Sequence, residues 1–314
     1  MSSEANCLYV SSRGIMKSCD VFPPNPSSSI RHCYSYPWDT LKPGAIVYIN
    51  SSAIANFFYS SDGWAKVKVP IVLVSGDCDE TVPTDILGQF SLAAFLNDER
   101  LIAWFAQNAD ASKHPKLHQI PIGLDYHTLS VNDTHPWGPK QTPADQEKII
   151  GLLAKRKPFE ERILAAHANF HFSMNTRYAN DRRDAVQNLC PSVVHYEKEP
   201  AVRFVTWVNQ SQFQFVISPQ GGGVDCHRTW EALCLGAIPI VKSSFLDSLY
   251  QGLPVIAITS WSDVTLEALN EIVKDILPKL QQQPLPKLLL SYWMNKIKEV
   301  RDAHLATLPV LTEQ

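Results

Sequence analysis

Residues 213–241 constrain the fold of this chain more than any other segment. An apolar run, 213–217, is followed by three consecutive glycines, a helical pattern that stops at Gly236, and a second apolar run, 237–241. A strand, a glycine loop, a helix and a strand in this order have the length of a parallel βαβ unit. In such sheets, ligands bind where the carboxyl ends of strands meet helix N-termini.

The polar groups of this unit suit a ligand that carries both phosphate and sugar. Glycines let the backbone approach a ligand closely, and free N–H groups at a helix start favour an anion such as diphosphate. Arg228 can offer a forked cation to phosphate, and Glu231, one turn later, can accept from sugar hydroxyls. We therefore predict a nucleotide-sugar site whose candidate residues are Pro219, Gly221, Gly222, Gly223, Asp225, His227, Arg228 and Glu231.

A plainer interpretation of the same segment is a flexible turn followed by an Arg228–Glu231 pair on a helix surface. Such a pair contributes only about 0.2–0.5 kcal/mol. The surrounding residues are apolar and small, which suits a helix buried against a sheet. Charges in such surroundings usually serve a ligand or a network, so the ligand interpretation is favoured.

Two other loops of the second half carry candidate ligand groups. Basic residues follow the expected strand 169–172, where they can neutralise a departing diphosphate. Arg182 and Arg183 point in different directions on a helix, so at most one of them reaches a ligand. A solvated helix start and a polar turn are the alternatives for these loops. The candidates are Arg177, Arg183, Lys242 and Ser243.

In the first half, acidic residues follow apolar runs. Asp77 and Asp79 come after the run 71–74, where one carboxylate can act as a general base towards an acceptor hydroxyl, and we prefer Asp79. The alternative is a turn in which Asp79 or Thr81 caps the helix that starts near Pro83. Asp125 and His127 follow the run 118–122, and they are candidates for acceptor binding or for the base, unless they form only a turn with a satisfied histidine. Asp77, Asp125 and His127 are thus the predicted acceptor-binding residues.

Short apolar runs alternate with helical stretches through both halves of the chain. The runs lie at 45–49, 71–74, 102–105 and 118–122, and then at 169–172, 213–217, 238–241 and 255–258. Helices are expected at 53–58, 85–96, 143–154, 182–189 and 288–304, and the Pro- and Ser-rich residues 20–43 are expected to be irregular. This alternation indicates an α/β fold with mainly parallel sheets whose faces are covered.

The length of 314 residues suits two domains of ordinary size. We expect an acceptor-side domain over 1–145 and a nucleotide-sugar-binding domain over 146–286. The C-terminal helical region, 287–314, places Leu289, Trp293 and Ile297 on one stripe, so it should pack back on the first domain.

Composition excludes several other classes of protein. A net charge of −3 disfavours general nucleic-acid binding, which needs a basic face. The seven cysteines show no CxxC spacing and the histidines no HExxH motif, so a metal site is not expected, although the carboxylates of Asp77 and Asp79 (Asp77-Cys78-Asp79) could still bind a divalent ion. No signal peptide or membrane-spanning run is seen, which predicts a reduced cytoplasmic protein with no membrane partner.

The segment SPQGGGVDCHRTWEALCLGAIPIVKSS (218–244), with LYQGLPVIAITSW (249–261) after it, resembles the exostosin-like glycosyltransferases, nearest to the small chlorella-virus xylosyltransferase type. Weaker similarity extends through VSGDCDETVP (74–83), QIPIGLDYH (119–127) and HPWGP (135–139). The resemblance implies a GT-B fold, in which two Rossmann-like domains face each other across a cleft. It also implies UDP-sugar donors, inversion at the anomeric carbon and no required metal or cofactor. By position, Glu231 would contact the ribose, and Arg228 with the glycine-loop amides would lie near the diphosphate.

The function predicted from the sequence is therefore transfer of a monosaccharide, with xylose as the named sugar, from a UDP-sugar to a glycan hydroxyl. Animal exostosins carry a membrane anchor that this sequence does not show, which fits an enzyme of the cytoplasm, including that of a virus-infected cell. A glycan-binding protein without turnover is one alternative. An NAD-dependent oxidoreductase is another, disfavoured because the loop is not GxGxxG and no acidic residue ends the next strand.

Overall fold

The computed structural model describes residues 3–280 and 285–308, and it contains two parallel sheets. The strands are β1 (Ala45–Asn50), β2 (Ile71–Gly76), β3 (Leu101–Ala106), β4 (Leu117–Gln119), β5 (Thr134–His135), β6 (Gly138–Pro139), β7 (Ile163–Ala168), β8 (Val194–Tyr196), β9 (Phe213–Ile217), β10 (Ile238–Lys242) and β11 (Ile256–Ile258). β5 and β6 form a small antiparallel hairpin. The predicted fold class, α/β with two mainly parallel sheets, is confirmed.

The first sheet has the sequential order β1-β2-β3-β4, and every pair in it is parallel. Its two central strands are buried along their whole length, as their unbroken apolar sequences predict. All four strands of this sheet were predicted from apolar runs, although the last one, predicted at 118–122, occupies Leu117–Gln119. The residues after it leave the sheet and approach the second half of the molecule.

The second sheet has the order β11-β10-β9-β7-β8. From β7 the chain moves outward to β8, whereas from β9 it moves to the opposite side, to β10. The strand order therefore reverses between β7 and β9, and a crevice opens outside the carboxyl ends of these two neighbours. The glycine loop begins at the carboxyl end of β9, so the fold places it at this reversal.

One predicted strand is wrong. The segment 169–172 forms a 3-10 turn at Phe170–Phe172, and the strand is the preceding Ile163–Ala168. This strand contains three alanines and a histidine, so its sequence, ILAAHA, has no pattern that separates a strand from a helix. Its place in the middle of the sheet comes from pairing with β8 and β9, which the local sequence does not show.

The helices are α1 (Ser12–Lys17), α2 (Ile54–Tyr59), α3 (Gln89–Asn97), α4 (His127–Val131), α5 (Pro143–Ala154), α6 (Ala179–Asn188), α7 (Arg203–Gln210), α8 (His227–Cys234), α9 (Asp247–Tyr250), α10 (Leu266–Leu280) and α11 (Leu290–Leu305). The predicted bounds of α5 are confirmed: Thr142 caps it by accepting from the amide of Asp145, and Pro143 is its first residue. The predicted helix 85–96 begins later, at Gln89.

Gly236 ends α8, which carries the polar residues of the glycine-loop unit. Its φ of +75° is the left-handed conformation that glycine adopts without strain. The amide of Gly236 donates to Leu233 and that of Ala237 to Ala232, the two bonds of a Schellman motif. β10 therefore begins immediately after the helix.

The carboxyl ends of the two sheets face each other. One apolar cluster continues from β2 in the first half, through Val72 and Val74, to Trp230 and Tyr250 in the second. The last helix, α11, contacts β2 and β3, and its Trp293 is buried in the same cluster. No helix in the described ranges combines the length and apolarity needed to cross a membrane.

Candidate functional site

The crevice at the strand reversal contains a charged side chain with unused hydrogen-bonding capacity. Arg228 is the second residue of α8, and its Nε donates to Oδ1 of Asn169, the first residue after β7, at 3.1 Å. Its Nη1 is buried and has no hydrogen-bond partner among the described residues. Burial lowers the pKa of the guanidinium to about 10. A desolvated cation is costly unless it is paired, so this position favours an anion.

Glu231, on the same helix, also has a buried atom without a hydrogen-bond partner in the described ranges, and this atom belongs to a negatively charged group. The side chain is buried, and its Oε1 makes no hydrogen bond within the described part of the chain. The nearest cation is Nη2 of Arg203, at 3.8 Å, which is an ion-pair distance beyond hydrogen-bond range. A carboxylate oxygen in this state can accept a hydrogen bond from a ligand hydroxyl.

The three glycines of the loop lie in close contact with side chains of the protein. A Cβ on Gly222 would collide with the carboxylate of Asp79, one on Gly223 with the amide of Asn108, and one on Gly221 with Arg182. Asp79 and Asn108 belong to the first half of the chain. The glycines thus let the loop lie directly against the first sheet, which brings Asp79 next to the proposed donor loop.

Asp79 is accessible to solvent at the surface of the cleft, but the protein around it partly desolvates its carboxyl. This desolvation, together with the negative charge of Glu80, raises the pKa of the carboxyl above the ordinary value. His227 acts in the opposite direction, as a nearby positive charge would. A carboxylate with a raised pKa beside the glycine loop is a candidate general base.

Asp225 has a structural role. Its buried carboxylate accepts from the amide of Ile122 at 2.8 Å, from Nε1 of Trp230 at 2.9 Å and from the hydroxyl of Tyr250 at 3.0 Å. Its own amide donates to Oδ1 of Asn108 at 2.8 Å. Burial raises the pKa of this carboxyl, and the hydrogen bonds oppose that rise. Asp225 therefore joins the two halves of the molecule, and its oxygens are already used.

His227, the first residue of α8, is oriented by the first half. Its Nδ1 lies 2.7 Å from the carbonyl oxygen of Gly123. A carbonyl only accepts, so Nδ1 carries the proton and Nε2 remains for another partner. The ring of His227 lies edge-on to that of His127, with ring centroids 6.1 Å apart.

Asp125 and His127 form a buried pair at the start of α4. Nδ1 of His127 lies 3.2 Å from Oδ1 of Asp125. The hydroxyl of Thr128 donates to Oδ2 of Asp125 at 2.7 Å, and Nη2 of Arg203 donates to the same oxygen at 3.2 Å. Burial lowers the pKa of the His127 imidazole, against the opposing effect of Asp125. A neutral imidazole held at Nδ1 presents Nε2 as a hydrogen-bond acceptor.

Asp77 is paired within the first half. Arg13 approaches one of its carboxylate oxygens at 3.4 Å, and the hydroxyl of Ser28 donates to the other at 2.7 Å. Ser28 lies in the Pro- and Ser-rich lead-in, which thus folds over the end of β2. Within the described residues, no group of three His, Cys, Asp or Glu side chains could hold a metal ion.

The remaining second-half candidates already have partners within the protein, and all but the buried Pro219 are partly or fully exposed. Arg177 pairs with Asp85 of the first half at 2.6 Å, and Lys242 pairs with Asp184 at 2.8 Å. Arg183 donates to Asn180 in its own helix, Ser243 donates to Asp247 at 2.5 Å, and Pro219 accepts from the thiol of Cys226 through its carbonyl. The structure therefore brings together Asp79, Gly222, His227, Arg228 and Glu231 more closely than it does these residues.

Sequence reasoning missed four polar residues of the site: Arg13, Asn108, Asn169 and Arg203. Asn169 could have been found, because it directly follows β7, had that strand been placed correctly. Asn108 has a φ of +52°, a turn conformation that asparagine tolerates, but the chain around it shows no motif. Arg203 reaches the site from α7 only through tertiary packing.

Comparison with known proteins gives no family assignment. No protein-family model matches the chain. No curated protein matches it either. Among solved structures, it is similar to a trehalose 6-phosphate synthase from Burkholderia multivorans, with a TM-score of 0.44 and 10% identity over 87% of this chain and 74% of that one.

A UDP-forming trehalose-phosphate synthase from Burkholderia vietnamiensis gives a TM-score of 0.43 and 10% identity over 86% of this chain and 75% of that one. An E. coli structure described as trehalose-6-phosphate with bound UDP-2-fluoro glucose gives 0.35 and 9%, over 85% and 73% of the two chains. Scores below 0.5 carry no argument about this chain. The fold class and the site therefore rest on the chain's own strands and contacts.

Proposed function

We propose that this chain is a glycosyltransferase that moves a monosaccharide from a UDP-sugar to a hydroxyl of a glycan acceptor. The observation that carries this proposal is the buried, unpartnered Nη1 of Arg228 at the strand reversal. Reversal points are where open α/β sheets bind nucleotides, and a buried guanidinium there suits diphosphate. Glu231, one turn along the same helix, supplies an acceptor for hydroxyl groups of the ligand.

In this mechanism the diphosphate lies against Arg228 and the amides at the start of α8. Negative charge grows on the diphosphate as the sugar leaves, and fixed donors stabilise it without reorganisation. Asp79, from the opposite sheet, accepts the proton of the attacking hydroxyl, and His127 and Asp125 bind the acceptor. A base of this kind contributes about 10²–10⁴-fold.

The finer assignments rest on the resemblance to exostosin-like enzymes alone. These are xylose as the sugar, inversion at the anomeric carbon, a glycan acceptor and catalysis without a divalent metal. A cytoplasmic location is likewise a proposal. Because Arg228 supplies the cation, we expect transfer to persist after treatment with a chelator.

Two alternatives remain to be separated by experiment. A glycan-binding protein would keep the cleft without turnover, and an NAD-dependent oxidoreductase would use the same reversal point for another dinucleotide. Thermal shift with UDP, NAD and free glycans separates them: we expect stabilisation by UDP, whereas stabilisation by NAD and not by UDP would overturn the proposal.

Turnover is tested by UDP release from a panel of UDP-sugars, with wild-type protein and Asp79→Asn. We expect the variant to lose about 10²–10⁴-fold in rate. The base must be ionised, so the wild-type rate should fall as pH decreases through the raised pKa of Asp79. Equal rates in the two proteins would remove Asp79 from this role.

A further inference from the structure

Arg203 lies between the two halves of the proposed site, and no sequence motif marks it. It begins α7 in the second half, and its side chain is 7% exposed. Its guanidinium lies 4.3 Å from the ring centroid of Trp137, in the β5–β6 hairpin, and 5.6 Å from that of Trp207. Two aromatic neighbours and burial restrict this group to small movements.

One nitrogen of the guanidinium, Nη2, lies between two carboxylates. On the acceptor side, Nη1 donates to the backbone carbonyl of Asp125, and Nη2 donates to the Asp125 carboxylate at 3.2 Å. On the donor side, the same Nη2 lies 3.8 Å from Oε1 of Glu231. Nη2 thus donates a hydrogen bond to the carboxylate of Asp125 and lies farther from that of Glu231. A change at Glu231 alters the balance between them.

Asp125 carries that change to the acceptor side. Its other oxygen, Oδ1, contacts Nδ1 of His127 at 3.2 Å and accepts from the amide of Thr128 at 2.9 Å. The path from Glu231 to His127 therefore runs through two direct contacts of Arg203 and one of Asp125. The two contacts of Arg203 join charged, buried groups, and the third joins the Asp125 carboxylate to the imidazole of His127, so electrostatic screening by water is weak along the path.

We propose that Arg203 is a positioning residue that couples occupancy of the donor site at Glu231 to the orientation of the His127 imidazole on the acceptor side. The proposed coupling rests on the proposed function, because it assumes that the ligand at Glu231 is a nucleotide sugar. When a ligand hydroxyl donates to Glu231, its carboxylate attracts Nη2 less, and Arg203 binds Asp125 more closely. The acceptor side is then set for reaction only when the donor is present, which limits loss of the donor to water.

The test follows the His127 side chain by NMR, with its signals assigned through His127→Asn. The variant is Arg203→Lys, which keeps a positive charge and removes the planar fork. The matched control is Arg162→Lys, a buried arginine that donates to the backbone carbonyls of Ala154 and Lys157. Circular dichroism establishes that each variant is folded.

The first measurement needs no ligand. The charged groups that face His127 are Asp125, Asp77, Arg13 and His227. In Arg203→Lys these remain, but the cation neutralises Asp125 less well, so the imidazolium gains stability and the titration midpoint of His127 moves upward. The midpoint should not move in Arg162→Lys. An unchanged midpoint in Arg203→Lys overturns the positioning role, whether or not UDP binds.

The second measurement adds UDP. In the wild type, UDP should shift the His127 signals, and Arg203→Lys should lose most of that shift when each protein is compared at a UDP concentration that saturates it. A full shift in the variant overturns the coupling, since it would show a direct effect of the diphosphate. Failure of UDP to bind the wild type overturns the proposed function instead, and the titration still decides on Arg203.

If Arg203→Lys does not fold, a second variant can still test the coupling. Glu231→Gln keeps the size of the side chain and removes its charge. Without ligand, its His127 signals should move in the direction that UDP produces in the wild type. Movement in the opposite direction, or none, contradicts the coupling.

Discussion

The carboxyl ends of the two sheets differ in how their charged groups are satisfied. At the first sheet, Asp77 is paired with Arg13 and Asp125 with Arg203. At the second sheet, α8 carries Arg228 and Glu231, each with a buried atom that has no hydrogen-bond partner in the described chain. Nε of Arg13 also has no hydrogen-bond partner among the described residues, but it lies 3.4 Å from the carboxylate of Asp77. The acidic groups at the first sheet thus have cationic partners within the protein, whereas Arg228 donates to a neutral side chain, Asn169, so its charge would be balanced by a ligand.

The largest expected effect is on catalysis and concerns Arg228, at the second sheet. Arg228→Ala should lower kcat/KM for UDP release from UDP-sugars by about 10²–10³-fold, the usual loss when one fixed donor to a developing anion is removed. Arg156→Ala, which changes an exposed arginine after α5, is the control and should leave the rate unchanged. A loss below about threefold in Arg228→Ala would mean that Arg228 does not contact the diphosphate.

The next prediction concerns Asp225, which lies in the same loop but resembles the first sheet in being fully paired. Asp225→Ala leaves buried donors of Ile122, Trp230 and Tyr250 without a partner, so the free energy of unfolding should fall by about 3 kcal/mol. Urea denaturation measures this. The control Asp275→Ala, on an exposed turn of α10, should change it by less than about 0.5 kcal/mol. Similar values for the two variants would contradict the role assigned to Asp225.

A smaller effect is expected at the first sheet, in the pH dependence of the stability that Asp125 contributes. Burial opposes ionisation of Asp125, but the charges of His127 and Arg203 outweigh it and hold its pKa below the usual value. The folded state thus binds this proton less readily than the unfolded state, so the stability it contributes is present above the unfolded pKa, about 3.9, and is lost as pH falls. Below about pH 4, Asp125→Asn should lose stability less steeply than the wild type, by up to about 1.4 kcal/mol per pH unit.

Thermal unfolding of the two proteins at a series of acidic pH values checks this slope. Parallel curves for wild type and Asp125→Asn would show that Asp125 is not held ionised in the folded state.

The smallest effect is expected for an ion pair at the surface, where the two halves of the molecule meet. Asp85 and Arg177 form a partly exposed ion pair between the halves, at 2.6 Å. Such pairs contribute about 0.2–1 kcal/mol and are screened by salt. Asp85→Asn should therefore lower the melting temperature slightly at low ionic strength and not at about 1 M salt. A large loss that persists in salt would show that the contact closes the cleft in a way its exposure does not suggest.

The sequence predicted those parts of the site that lie near one another in the chain. Arg228 and Glu231 follow the glycine loop on one helix, so their place at a strand end could be inferred from pattern alone. Asn169 was missed because its strand is rich in alanine, and Arg203 because its contacts with Asp125 and Glu231 depend on how separate elements pack. The roles assigned to Asp79 and the other candidates remain predictions.

The position of α11 affects how the molecule matures. Among the described helices α11 lies farthest along the chain, yet it packs against β2 and β3, and Trp293 shares their apolar cluster. During synthesis the first sheet emerges long before this cover exists, so one apolar face stays open until α11 has been synthesised. Removal of the final helix should therefore impair folding of the amino-terminal half, which lies farthest from it in sequence.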